Sequence, residues 1–264
     1  MTPAIDIATI TAIAKAAGAA ILDIYRQDFD VFTKEDSSPL TEADMASHNI
    51  IVKALQQLTP EIPVLSEESA AIPFDTRSSW KSYWLIDPLD GTKEFVNRNG
   101  EFTVNIALIE NHRPVLGVVY LPVTETTYFG VVGEGAYVER NGKTSAISVS
   151  GTAQSPLRVV GSRSHAGDSL RQFLAEIGEH ELLSMGSSLK LCLVAEGKAD
   201  IYPRIGPTSE WDTAAAQAVV EAAGGKVTET SGEPLMYNRK ESLLNPYFLV
   251  FGDSSREWHN YFSD

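Results

Sequence analysis

Apolar positions along this chain change their period twice. Ile5, Ala8, Ala12, Ile13, Ala16, Ala20 and Ile24 fall at helical spacing, which predicts an alanine-rich amphipathic helix over 5–25. Thr41-Glu42-Ala43-Asp44 reads as a second helix start, with Met45, Val52, Leu55 and Leu58 on one face and Pro60 and Pro63 ending it. Val64-Leu65-Ser66-Glu67-Glu68 predicts a short strand running into a carboxylate pair, and residues 83–86 a buried strand. Val104, Ile106 and Leu108 then alternate, and 115–121 and 126–132 follow after short connections, the pattern of an antiparallel meander.

Past about residue 155 the pattern becomes alternating strand and helix. Strands are predicted at 157–161, 182–185, 200–203, 225–228 and 248–251, with helices at 168–177, 187–196 and 212–223. The expected organisation is therefore two packed lobes, an α+β lobe over 1–155 and an α/β lobe over 156–264, with no repeat and no low-complexity linker between them.

Composition narrows the function without naming it. The net charge of −14 argues against a nucleic-acid polymer as partner, although a few converging cations can still hold a small phosphorylated molecule. Cys192 is the single cysteine, so no internal disulfide forms and a reducing cytosol is the expected setting. The chain starts without a basic, signal-like segment, and no apolar stretch is expected to reach membrane-spanning length.

The chemistry concentrates in Asp87-Pro88-Leu89-Asp90-Gly91-Thr92, directly after the apolar run. Two carboxylates at a strand end suit a hard cation such as Mg²⁺, and glycine lets backbone approach a ligand closely. Thr92 opens a short predicted helix over 92–96 whose free N–H groups suit a phosphate. Further carboxylates recur at Asp44, Glu67-Glu68 and Asp212. Each also has a plain structural explanation. Asp44 completes a capping box with Thr41, Asp212 caps the helix that follows it, and the glutamates are strand-end charges. Two cations about 4 Å apart, however, need carboxylates from several elements, which would explain all of them together.

With Leu65-Ser66-Glu67-Glu68-Ser69, Asp87-Pro88-Leu89-Asp90-Gly91-Thr92, Trp211-Asp212-Thr213-Ala214-Ala215 and Ala223-Gly224-Gly225 in this order, the chain resembles the inositol monophosphatase superfamily of Mg²⁺-dependent, lithium-sensitive phosphatases. Ala216 departs from the glycine that many relatives carry. Within the superfamily, 87–95, 99–108, Ser162-Arg163-Ser164-His165, Gly186-Ser187-Ser188-Leu189-Lys190 and 202–208 are similar to the bacterial CysQ-type 3'(2'),5'-bisphosphate nucleotidases.

The resemblance implies a layered αβαβα sandwich and two Mg²⁺ ions. Glu67, Asp87 and the Leu89 carbonyl would hold one, and Asp87, Asp90 and Asp212 the other. A loop equivalent to Lys34-Glu35-Asp36 brings a third ion in some relatives. Asp44, Glu67 and Thr92 would serve catalysis, and Glu67, Leu89, Asp90, Gly91, Thr92 and Asp212 would meet the scissile phosphate. Ser164, His165, Ser187, Ser188, Lys190 and Arg204 would form the nucleotide pocket of the C-terminal lobe.

The implied reaction removes the 3'-phosphate of adenosine 3',5'-bisphosphate, with 3'-phosphoadenylyl sulfate as a second substrate and a place in sulfate assimilation. A monomer or homodimer in the cytoplasm is implied, and peripheral inner-membrane association rests on the resemblance alone. An inositol monophosphatase or sugar phosphatase is the alternative, disfavoured by the cations Arg163, Lys190 and Arg204. A sensor without catalysis is disfavoured because Glu67, Asp87, Asp90, Thr92 and Asp212 are all present. Cys192 and Trp211 read as packing residues.

Overall fold

The structure, a computed structural model, describes residues 5–29, 31–33, 39–69, 72–161 and 168–261. The Lys34-Glu35-Asp36 loop lies outside them. The N-terminal half carries α1 (Ile7–Tyr25), β1 (Val31–Thr33), β2 (Pro39–Thr41), α2 (Glu42–Leu58), β3 (Val64–Ser66), α3 (Phe74–Arg77), β4 (Ser82–Asp90), α4 (Thr92–Val96), β5 (Thr103–Glu110), β6 (Arg113–Leu121), β7 (Thr126–Val131), β8 (Gly135–Arg140) and β9 (Lys143–Ile147). The rest carries β10 (Leu157–Gly161), α5 (Asp168–Ile177), β11 (His180–Ser184), α6 (Leu189–Ala195), β12 (Ile201–Arg204), α7 (Glu210–Ala222), β13 (Lys226–Glu229) and β14 (Phe248–Phe251).

Strands β3 to β9 form one sheet in sequence order, parallel at β3–β4 and antiparallel thereafter. The predicted meander is present and extends two strands further, through β8 and β9. The second sheet runs β11-β10-β12-β14-β13, parallel on one side and antiparallel where β14 pairs with β12 and β13.

These sheets make five layers. Helices α1 and α2 cover one face of the large sheet, where Ile10, Ala14, Ile21, Ile51 and Leu55 meet Trp84, Ile86 and Val118. Helices α6 and α7 fill the space between the sheets, and α5 lies on the far side of the small sheet with Phe173 and Ile177 against Val159 and Leu249. The expected αβαβα sandwich is thus formed. The middle core is common to both halves: Leu85 and Val119 of one sheet share it with Tyr202 and Val250 of the other.

Strand β4 is buried on both faces. Tyr83 and Leu85 belong to the middle core while Trp84 and Ile86 belong to the α1/α2 layer, which is why the sequence shows an unbroken apolar run there. Helix α7 settles closely on the large sheet because Gly117 of β6 lies under it. A side chain at that position would run into the carbonyl of Ala215.

Three expectations need correction. Strand β4 does not stop at Ile86 but runs on to Asp90 through a register shift. Asp212 does not cap α7, because Ser209 is the cap and Asp212 completes its capping box from inside the first turn. Finally, α1 is long and apolar enough, by length and composition, to cross a membrane, contrary to the expectation that no stretch reaches that length. Its face with Ile10, Ala14, Ala17 and Ile21 is wholly buried against protein, and Lys15 reaches Glu139 at 2.6 Å.

Candidate active site

The parity of the large sheet gathers the carboxylates. Leu65, Tyr83 and Leu85 face the middle core, so Asp87, two residues after Leu85, faces α7 as well. Asp90 would point the opposite way in a regular strand. Asp87 pairs with Asn105 but Asp90 with Thr103, so three residues on β4 oppose two on β5. The extra residue restores the parity and turns both aspartates to one side. Helix α7 brings Asp212 down from the other layer, and oxygens of Asp87, Asp90 and Asp212 lie within 4.8 Å of one another.

Neighbouring polar groups fix each carboxylate. The backbone N–H of Leu89 donates to Asp87 Oδ1 at 3.0 Å. Asp90 Oδ2 accepts from the backbone N–H of Ser188, from Thr103 Oγ1 at 3.4 Å and from Asn105 Nδ2 at 3.5 Å. Asp212 Oδ2 accepts from the backbone N–H of Ser209 at 2.8 Å. Burial pushes Asp87 well above the usual carboxylate range, with the charges of Glu67, Asp90 and Asp212 adding to it. Burial likewise pushes Asp212 up to about 8, Asp90 and Glu67 contributing. Glu67, in the single helical turn after β3, lies close enough for its charge to act on Asp87 and Asp212. Four acids converging at this cost are suited to balance positive charge, and oxygen donors are what Mg²⁺ takes.

Asp44 comes from α2, where one oxygen completes the capping box and the other stands 3.4 Å from Thr92 Oγ1. The same hydroxyl lies 3.4 Å from the Leu89 carbonyl. Between them Gly91 has φ +95°, and a Cβ there would press on the Glu101 carbonyl at 3.2 Å. Glycine lets the chain turn sharply into α4 at this point.

A cavity of about 300 Å³ opens beside Asp90 and Asp212 and extends to Arg204, Tyr202 and Phe248. Lys190, Ser187, Ser188 and Gly91 also line it. Arg204 donates from Nη2 to the Pro207 carbonyl at 2.7 Å, while its buried Nε has no partner. Ser187, at φ +44°, likewise has a buried hydroxyl without a partner. Lys190 is nearly buried, donates to the Ser187 carbonyl at 2.6 Å and lies over the Tyr202 ring. The Ser188 hydroxyl is engaged by Thr103 and Asn105 at 2.9 Å, so this serine shapes the Asp90 site as much as the cavity.

Arg163, Ser164 and His165 lie outside the described residues. Trp211 packs against the middle core. Sequence reasoning assigned no role to Thr103 and Asn105, which hold Asp90, or to Glu101, which lines the cavity beside Lys93 and Glu94. The first two were legible in principle, as polar positions interrupting the inward face of β5.

This fold and this acid cluster define a phosphatase-like site with the oxygen donors of a cation-binding centre. The inositol monophosphatase family model matches residues 4–259, and the chain belongs to that family. Over 240 residues it is 52% identical to the 3'(2'),5'-bisphosphate nucleotidase CysQ of Escherichia coli, covering 90% of this chain and 96% of that protein. The crystal structure of CysQ from Bacteroides thetaiotaomicron superposes with a TM-score of 0.83 at 44% identity, covering 95% of this chain and 97% of that one. The inositol monophosphatase from Anabaena matches with a TM-score of 0.76 at 28% identity, over 96% of this chain and 92% of that one.

Proposed function

We propose that this protein is a Mg²⁺-dependent phosphatase that hydrolyses the 3'-phosphate of adenosine 3',5'-bisphosphate to AMP and phosphate. By the same chemistry it converts 3'-phosphoadenylyl sulfate to adenylyl sulfate, a role in sulfate assimilation. The observation that carries this reading is the junction of the Asp87–Asp90–Asp212 cluster with a cavity that Lys190 and Arg204 also line. A phosphate at the cluster and a second phosphate at Arg204 would use both the acids and the cations of this cavity, and the 52% identical relative is named a 3'(2'),5'-bisphosphate nucleotidase. Guanidinium groups match phosphate geometry well.

In this reading Glu67, Asp87 and the Leu89 carbonyl hold one Mg²⁺, and Asp87, Asp90 and Asp212 the other. Bound there, the ions would lower the pKa of a water and neutralise charge on the phosphate and the departing oxygen. The chain's own groups do the orienting. Thr92 Oγ1 donates a hydrogen bond to Asp44 Oδ1, leaving a lone pair to accept a hydrogen bond from the attacking water and so orient it. The first N–H groups of α4, at Gly91 and Thr92, face the phosphate oxygens. Lys190, Arg204, Ser187 and Ser188, which line the cavity, would form the nucleotide pocket. The two halves, 1–155 and 156–264, act as lobes around this junction, in a cytosolic monomer or homodimer.

Phosphate release measured side by side from adenosine 3',5'-bisphosphate and inositol 1-phosphate, with Mg²⁺ and with chelator, tests the reading. Mg²⁺-dependent turnover that favours the bisphosphate is expected. Faster hydrolysis of inositol 1-phosphate would replace the substrate, and release that survives chelation would remove the metals.

A further inference from the structure

The metal ligands come from two layers that have no covalent reason to stay in register. Glu67, Asp87 and Asp90 belong to the large sheet and its flanking turn, whereas Asp212 rides on the first turn of α7. Helix α7 rests on the large sheet, and its first turn is in addition wrapped by the segment 238–245. The Glu210 N–H donates to the Leu243 carbonyl at 2.8 Å, and the Asn245 N–H donates to the Thr208 carbonyl at 2.8 Å. The Asn245 side-chain amide donates to the Ser209 carbonyl at 2.7 Å and to Thr213 Oγ1 at 3.1 Å. The Glu210 carboxylate in turn accepts the Asn238 N–H with both oxygens, at 3.0 and 2.9 Å.

One side chain from the sheet side grips this segment. Arg77, at the end of α3, is only 2% exposed, an unusual state for an arginine. Its Nη1 donates to Asn238 Oδ1, and its Nη2 donates to the carbonyls of Glu241 and, at 3.2 Å, Lys240. The Asn238 side chain returns a bond to the Arg77 carbonyl at 2.6 Å. Arg77 lies five residues before β4, the strand that delivers Asp87 and Asp90, and Glu210, on the other side of Asn238, is itself only 2% exposed. Asn238 adopts φ +55°, so the segment is bent to fit between them.

We propose that Arg77, Asn238 and Glu210 are positioning residues for the metal site, a buried tether that holds Asp212 in register with Asp87 and Asp90. Arg77 touches neither substrate nor cation. It fixes a loop, the loop fixes the first turn of α7, and that turn fixes Asp212. The inference rests on the two-metal reading above. A buried charge is in general weak evidence for stability, so a role in registering the two halves explains better why a buried arginine and a buried glutamate both hold Asn238 here.

The test is Mg²⁺ binding to chelator-stripped protein by titration calorimetry, beside thermal unfolding without metal. It compares wild type, Asn238→Ala, Arg77→Lys and Arg158→Lys. Removing Arg77 outright would leave Asn238 Oδ1 and two carbonyls without their donor, so Arg77→Lys keeps the cation but loses the fork that holds these three acceptors. Arg158→Lys is the control for a merely structural effect, because Arg158 pairs with buried Asp200 in the small sheet, away from the acids. The tether variants are expected to bind Mg²⁺ roughly tenfold more weakly, as when groups supporting metal ligands are removed. The control is expected to lose thermal stability with unchanged affinity. Wild-type affinity in both tether variants, whatever their stability, overturns the tether. Absence of Mg²⁺ binding in the wild type overturns the two-metal reading instead.

Discussion

Asp44 Oδ1 lies 3.4 Å from Thr92 Oγ1 while Asp44 Oδ2 accepts from Thr41 at 2.8 Å through N–H and 2.7 Å through Oγ1. Helix capping and site chemistry are therefore not alternatives for this carboxylate. One oxygen starts α2, and the start of α2 aims the other oxygen at the threonine. Asp212 repeats the arrangement on α7, with Ser209 as its cap and the cluster as its other neighbour.

Thr92→Val should lower kcat roughly 100-fold or more, the usual size of a lost proton-handling group, with KM little changed. Thr92→Ser should retain most activity because it keeps the hydroxyl. Steady-state kinetics on both variants decide it. Full activity in the valine variant would remove Thr92 from the handling of water.

Asp90→Asn should abolish most turnover while leaving the metal-free protein at least as stable as wild type. The change removes one carboxylate from a group whose mutual repulsion and burial raise Asp87. Thermal unfolding in chelator, alongside turnover in Mg²⁺, separates the two effects. A variant that loses stability in chelator would show that Asp90 is needed for folding.

The stability gained from Mg²⁺ should grow with pH. Burial and like charges hold Asp212 at about 8 in the folded, metal-free chain, above the value of 3.8 that it has when unperturbed. A carboxyl raised in this way favours folding fully only below its unfolded pKa. The metal-free protein should therefore lose stability as pH climbs from about 4 to about 8. Bound Mg²⁺ offsets the charge, so the gap between unfolding midpoints with Mg²⁺ and with chelator should widen between about pH 5.5 and about pH 8. Paired scans at several pH values check this. A gap that is constant or shrinks contradicts the raised acids.

Arg204→Ala should raise KM for adenosine 3',5'-bisphosphate by about tenfold or more, the range for a lost charged hydrogen bond. A plain phosphomonoester should be nearly unaffected. Michaelis constants for both substrates give the answer, and equal effects would take Arg204 out of the nucleotide pocket.

The sequence by itself determined much of this protein because its signals are local. The unbroken apolar run before Asp87 records a strand buried on both faces, the helical spacing of Ile13, Ala16 and Ala20 records α1, and Thr41 with Asp44 records a cap. The acids Asp87, Asp90 and Asp212 could be named in advance because an acid following an apolar run, or opening an alanine-rich helix, stands out against its neighbours.

Only the tertiary structure decided how those acids meet. The bulge in β4 that turns Asp90 to the side of Asp87 depends on its pairing with Thr103 and Asn105 of β5. The depth at which α7 seats Asp212 depends on Gly117, almost a hundred residues away. The grip of Arg77 on Asn238 and the clamp around Glu210 join positions 161 and 28 residues apart. Such relationships leave no periodic trace, because register and close approach are properties of pairs of distant segments and not of either segment alone.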